Sequence, residues 1–197
     1  MPFPPGTIAA LVIATSFAAG LNVYATLFTL GLLAHWVALP PGLKMLASWW
    51  IIGVSGALFA AEFVVDKFPG IDLMWNGLHT FVRIPIAGLL AYRAASQLTP
   101  GMQLLTAGMG AVIALTAHGS KTAVRVAVAP NLEPVLYLAL SSGEDVAAIG
   151  IAWLATQRPW TAASIAILLL LVAVLMFWWA VKTLRGVWRR PRVVPAP

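Results

Sequence analysis

The chain of 197 residues contains no cysteine, only three histidines, and a charged fraction of just 9%. Without thiols it holds no disulfide framework, no thiolate nucleophile and no cysteine-ligated zinc or iron–sulfur group. The shortage of charge excludes more. A soluble domain carries about 45–50% apolar and about 25% charged residues, whereas hydrophobic residues here reach 61%. Polar side chains are too few to cover a water-exposed surface, so a soluble globule is excluded, and the hydropathy excludes a disordered chain. What is present instead is long apolar sequence with nine tryptophans.

A bilayer core takes about 20 apolar residues per spanning helix. Six stretches reach that length, near 7–36, 44–67, 77–97, 102–129, 134–156 and 160–186. They are separated by Pro40-Pro41-Gly42, Pro69-Gly70, Pro100-Gly101, Pro130-Asn131 and Arg158-Pro159, all of which read as breaks. The fold expected is all-α: one polytopic transmembrane domain over 1–197, ending in a basic tail at 187–197. The first residues lack a basic n-region, so a cleaved signal peptide is not expected.

Orientation follows from Lys and Arg near the helix ends. Lys182, Arg185, Arg189, Arg190 and Arg192 occur without any acid, which assigns the C-terminus to the cytoplasm. An even number of spans then puts the N-terminus there too, in an inner (plasma) membrane. Trp36, Trp49, Trp50, Trp153 and Trp160 fall toward one interface, and Trp75, Trp178, Trp179 and Trp188 toward the other, as an aromatic belt would. The tail, beside a span, reads as attraction to anionic lipid headgroups rather than as a nucleic-acid site.

The first and fourth segments are too long for a straight span, and each is interrupted near its middle. Ala18-Ala19-Gly20-Leu21-Asn22 and Ala117-His118-Gly119-Ser120-Lys121 both read Ala-x-Gly-x-polar. Helix breaks are therefore expected at Gly20 and Asn22, and at Gly119 and Ser120, giving broken or re-entrant helices at about 7–36 and 102–129. Their spacing suits two inverted three-helix repeats, about 7–97 and 102–186, an arrangement used by transporters. The plainer alternative makes Gly20 and Gly119 simple helix-packing points.

All six acids lie between Glu62 and Asp145. A charge in a membrane helix costs about 2.5–3.5 kcal/mol on insertion scales, so it is paired or functional. Glu62 and Asp66 share one helix face at i,i+4, and so do His79 and Arg83 across a short connection at 67–76. Lys121, Arg125, Glu144 and Asp145 come to the same half of the membrane by alternation of span direction. These eight residues form the expected site for a small ion or an anionic, even phosphate-bearing, group. The structural alternative pairs Glu62 or Asp66 with Arg83, and Lys121 with Glu144 or Asp145. Asp66-Lys67, Asp72 and Trp75 read as loop residues with capping or interface roles, Asp72 being a candidate cap.

Other chemistry is poorly supported. The histidines (His35, His79, His118) are scattered. A divalent cation on His79, Glu62 and Asp66 is a weaker reading than a hydrogen-bonded histidine, so no metal and no cofactor is expected. Gly119-Ser120-Lys121-Thr122 lacks the glycine and Gly-Lys order of a phosphate loop. Gly53-Val54-Ser55-Gly56 has the wrong spacing for a nucleophile elbow. Ser141 and Ser142 stand beside Glu144 with no histidine nearby in sequence.

One string of polar residues is more specific. Glu62-x3-Asp66-Lys67-x-Pro69-x2-Asp72-x2-Trp75, followed by His79-Thr80-x2-Arg83 and Gly88, resembles the family of small membrane proteins called domain of unknown function 4126. Gly119-x-Lys121-x3-Arg125, Glu133-Pro134, Ser142-x-Glu144-Asp145 and Gly20-Leu21-Asn22 fit the same pattern, and the resemblance covers roughly residues 10–160. It implies that these polar residues form a shared site and implies no particular activity. The two expected helix breaks and the charge cluster within the membrane point to a small transporter or channel-like protein rather than an enzyme. The alternatives are an intramembrane lipid-modifying enzyme and a non-catalytic scaffold held by ion pairs. The partners expected are the bilayer and a small ion or anion, and a homo-oligomer is admitted.

Overall fold

The computed structural model describes residues 3–128 and 133–188. The described residues contain no strand. In chain order the helices are α1 (Pro5–Leu21), α2 (Val23–Leu33), a 3-10 helix (Pro41–Ala47), α3 (Trp49–Val65), α4 (Pro69–Ala94), α5 (Pro100–Val128), α6 (Pro134–Gln157) and α7 (Pro159–Trp188). Arg189, Arg190 and Arg192 of the basic tail, and the break at Pro130–Asn131, lie outside the described residues.

Proline explains most helix starts. Pro5, Pro69, Pro100, Pro134 and Pro159 each open a helix, where the missing N–H is one the helix leaves unpaired and φ is already helical. The expected connection at 67–76 is correspondingly wrong. Helix α4 begins at Pro69 behind an extended Phe68, so Asp72 and Trp75 are helical and the capping position falls on Phe68.

Three helices are long and apolar enough to cross a membrane: Pro100–Val126, Val135–Gln157 and Pro159–Lys182. The 3-10 helix and α3 together make a fourth candidate, bent by 70°. Helices α1 and α2 are individually shorter. The protein is thus a helical membrane protein; among the described residues three helices, or four with the bent pair, qualify as spans by length and composition, where six were expected.

Helix α1 occupies the middle of the bundle, packed by α4, α5, α6 and α7, while α2 rests on α3 and α6. Small side chains permit this: Ala10, Ala14, Ala18 and Ala19 of α1 and Ala114 and Ala117 of α5 are all buried, the small-residue packing that brings membrane helices together. A Cβ built on Gly20 would stand 2.7 Å from the Ala114 carbonyl oxygen and 2.8 Å from the Ala117 Cβ. Gly20 is therefore a point of close approach of α1 to α5, and it lies within α1, two residues before the interruption.

That interruption is at Asn22 alone. The second expected break is absent, since α5 runs unbroken through Gly119 and Ser120. The difference is chemical. An asparagine carries a side-chain acceptor that can replace a backbone carbonyl, whereas Lys121, at the matching position, can only donate. A Cβ on Gly119 would meet nothing within 4 Å, so no close contact requires glycine there either.

Candidate functional site

The site starts from the broken helix. Asn22 is extended, at φ −149° and ψ 105°, and its side-chain oxygen accepts the N–H of Ala25 at 2.9 Å. In a continuous helix that N–H would bond the carbonyl of Leu21. Released from it, the Leu21 carbonyl accepts from the Lys121 ammonium at 3.1 Å and from the Arg83 guanidinium at 3.5 Å. Cations at the C-terminal end of α1 also face the negative end of its dipole. The Asn22 amide donates to Asp145 at 2.9 Å, tying the break to α6.

Around this point four cations meet four carboxylates. Arg83 of α4 pairs with Glu62 of α3 at 2.5 Å, both fully buried. Lys121 of α5 lies 3.4 Å from Asp66 and 3.2 Å from Glu144. One turn on, Arg125 lies 3.4 Å from the same Asp66 oxygen and bonds the same Glu144 oxygen. Lys67 lies 3.9 Å from Asp145 and donates to Ser141 and Ser142 at 3.0 and 3.2 Å. It also rests over the Phe63 ring. The set is electrically balanced.

Of the eight positions expected, seven come together here: Glu62, Asp66, Arg83, Lys121, Arg125, Glu144 and Asp145. The expected alternatives Glu62–Arg83 and Lys121–Glu144 are both found, while Asp145 takes Asn22 and Lys67 instead of Lys121. His79 stands beside the set. Its Nδ1 lies 2.9 Å from the Trp75 carbonyl, and its ring stacks on Trp75 and meets Tyr24 edge-on. Among the described residues no group of three His, Asp or Glu side chains is placed to hold a metal ion.

Four participants were not expected. Lys67 reads as a loop residue in sequence yet reaches the serines of α6. The Leu21 carbonyl leaves no signal in residue identity at all. His118 and Thr80 extend the set: Arg83 meets His118 Nδ1 at 2.9 Å, and His118 Nε2 lies 2.8 Å from the Thr80 hydroxyl. That hydroxyl donates to the Asn76 carbonyl. Because Arg83 only donates, Nδ1 must accept and the proton resides on Nε2. His118 was visible as a histidine facing the polar half of α5, and its i,i+3 spacing from Lys121 was the available hint.

Two members differ from the rest in access, Lys67 at 16% exposed and, alone among the four carboxylates, Glu144. The Glu144 side chain is 13% exposed, against 0–3% for Glu62, Asp66, Arg83, Lys121, Arg125 and Asp145. Glu144 and Lys121 line a cleft of about 450 Å³ between α5, α6 and α7, to which Phe17 and Leu21 of α1 also contribute. The serines nearest an acid in sequence, Ser141 and Ser142, are engaged by the Lys67 ammonium rather than by a base.

The family described as domain of unknown function (DUF4126) matches residues 9–179, so the chain belongs to it. Neither the curated proteins nor the solved structures include a match to this chain.

Proposed function

We propose that this member of the DUF4126 family is a membrane transport protein whose charged centre binds an anionic group by exchange with its own Glu144 carboxylate. One observation carries the reading: Glu144 shares Lys121 and Arg125 with the sealed Asp66, and it lines a cleft. Burying an extra anion in a neutral, dry network is costly. If Glu144 takes up a proton as the anion arrives, one negative charge replaces another on Lys121 and Arg125 and the balance is kept. The groups facing Glu144 are Lys121 and Arg125 from α5 and Asp66 from the end of α3. Helix α1 has no charged side chain, and α7 has Lys182 and Arg185, both near its C-terminal end. The Leu21 carbonyl holds Lys121 in place throughout, so the cation need not move when its partner changes.

The test is proton uptake. With the protein in weakly buffered nanodiscs, addition of decanesulfonate or methanesulfonate, which have no titratable group near neutral pH, raises the pH of the medium as the anion binds. Glu144→Gln binds the anion without that rise, and its binding loses pH dependence. Binding with no proton uptake in the wild type refutes the exchange.

A second reading has its own support. Every cation of the centre already has a carboxylate partner, which suits a static lock between α1, α3, α4, α5 and α6. Wild-type protein that is folded, binds neither sulfonate and moves neither into liposomes would favour the lock.

A further inference from the structure

We infer that the anion taken at Lys121 and Arg125 is the headgroup of an amphiphile, with a hydrocarbon chain lying in the cleft between α5, α6 and α7. This rests on the exchange reading of Glu144 and adds the class of substrate. Apart from Lys121, Glu144 and the Ser120 hydroxyl, the cleft is walled by apolar groups, among them Leu140 and Ala147 of α6 and Leu169, Val172 and Met176 of α7. Its volume of about 450 Å³ falls within the roughly 300–1,000 Å³ of ligand pockets. A small hydrated anion would have to shed its water along those walls before reaching a cation, at the cost of an unpaired charge in apolar surroundings. An amphiphile meets no such cost with its chain, because apolar walls replace apolar lipid tails. Only the headgroup is desolvated, and it is desolvated where Lys121 lines the cleft and Arg125 follows one turn on along α5.

The charges also select the sign. A cationic headgroup would find Glu144 already shared by two cations, and displacing both would strand them in a buried site. An anionic headgroup needs one carboxylate, the exposed one, to give way. The apolar lining of the cleft and its one cation–carboxylate pair therefore point to one occupant, an anionic amphiphile with at least one hydrocarbon chain.

Gly143 supplies a clean way to close the cleft. It lines the cleft on α6, and a Cβ there would meet nothing within 4 Å. Gly143→Phe should fill the space without strain, and replacing a helical glycine favours the helix. Gly150, also on α6 and also open around its Cβ, does not line the cleft, so Gly150→Leu is the control. The experiment measures binding of radiolabelled dodecyl phosphate to full-length protein in phosphatidylcholine nanodiscs, with empty nanodiscs subtracted. Unlabelled dodecyl phosphate, inorganic phosphate, dodecyl maltoside and dodecyltrimethylammonium are the competitors.

The expected result is displacement by dodecyl phosphate at concentrations about tenfold or more below the other three. Gly143→Phe should weaken binding by about tenfold or more with an unchanged melting temperature, and Gly150→Leu should not. Equal competition by dodecyl maltoside means an unselective apolar cleft and overturns the inference. Equal competition by inorganic phosphate assigns the site to a small soluble anion, which sinks the amphiphile but leaves the exchange at Glu144 standing. If folded wild type binds neither phosphate, both fall. The competition series needs only wild-type protein, so the outcome does not depend on any variant folding.

Discussion

The ammonium of Lys121 donates to the main-chain carbonyl of Leu21, 3.1 Å away and 100 positions earlier in the chain. That bond joins the helix break to the ion-pair centre. Asn22 takes the N–H that Leu21 would have accepted, and the carbonyl thus released helps hold the two cations that pair with Glu62, Asp66 and Glu144. The break is part of the charged centre, and it should fail together with it.

Asn22→Ala tests this directly. It removes a helix cap worth about 1 kcal/mol and leaves a buried Asp145 oxygen without its amide donor, at about 1–3 kcal/mol. A combined loss of roughly 2–4 kcal/mol is expected from unfolding in mixed micelles. Asn22→Asp keeps the cap but sets a second carboxylate against Asp145, so it should be at least as destabilising. An Asn22→Ala protein as stable as wild type would separate the break from the charged centre.

The Glu62–Arg83 pair is fully buried, which makes its single and double variants behave differently. Glu62→Leu or Arg83→Met alone strands a charge and should cost about 3–5 kcal/mol. The double variant strands none at this pair and should recover more than half of the loss, a coupling that a double-mutant cycle measures. Additive losses would mean that the two side chains act independently.

Glycine positions give a contrast between α1 and α5. Gly20→Ala forces a Cβ against the Ala114 carbonyl and should cost about 1–3 kcal/mol as the helices separate. Gly119→Ala enters open space on a continuous helix and should stabilise by up to about 1 kcal/mol. Melting temperatures of the two variants in nanodiscs decide it; a destabilised Gly119→Ala would speak for a hinge in α5.

The hydrogen-bond order through His118 predicts its tautomer. With Arg83 donating to Nδ1 and Thr80 accepting from Nε2, nitrogen-15 NMR of histidine-labelled protein at neutral pH should show the Nε2–H form for the signal that vanishes in His118→Gln. An Nδ1–H signal would contradict the contact with Arg83, and Thr80→Val should shift the His118 resonance while sparing those of His35 and His79.

The composition points to a helical membrane protein, because 61% hydrophobic residues have few other places to be buried. The centre was also largely legible, since charges in apolar helices must find partners and the i,i+4 spacings aligned them in advance. The duplicated break was not. Ala-x-Gly-x-polar reads alike at Asn22 and Lys121, but only asparagine can accept a backbone hydrogen bond, so resemblance of pattern hid a difference of chemistry. The loop assigned to 67–76 fails for a related reason: Pro69-Gly70 reads as a break between apolar segments, whereas the fixed φ of proline suits Pro69 to begin a helix.

Residue identity therefore determined the solvent this protein folds in, the helical class and most of the charged side chains that must meet. It could not show which carboxylate remains accessible. Glu62, Asp66, Glu144 and Asp145 are equivalent as acids in apolar sequence, and packing alone seals three of them while α5, α6 and α7 leave a cleft that Glu144 lines. Nor could it show the Leu21 carbonyl, which every residue possesses and which becomes a ligand for Lys121 only where the helix stops. Side-chain chemistry is written locally, whereas accessibility and the partners of the backbone depend on contacts between distant segments, and those only the tertiary structure decides.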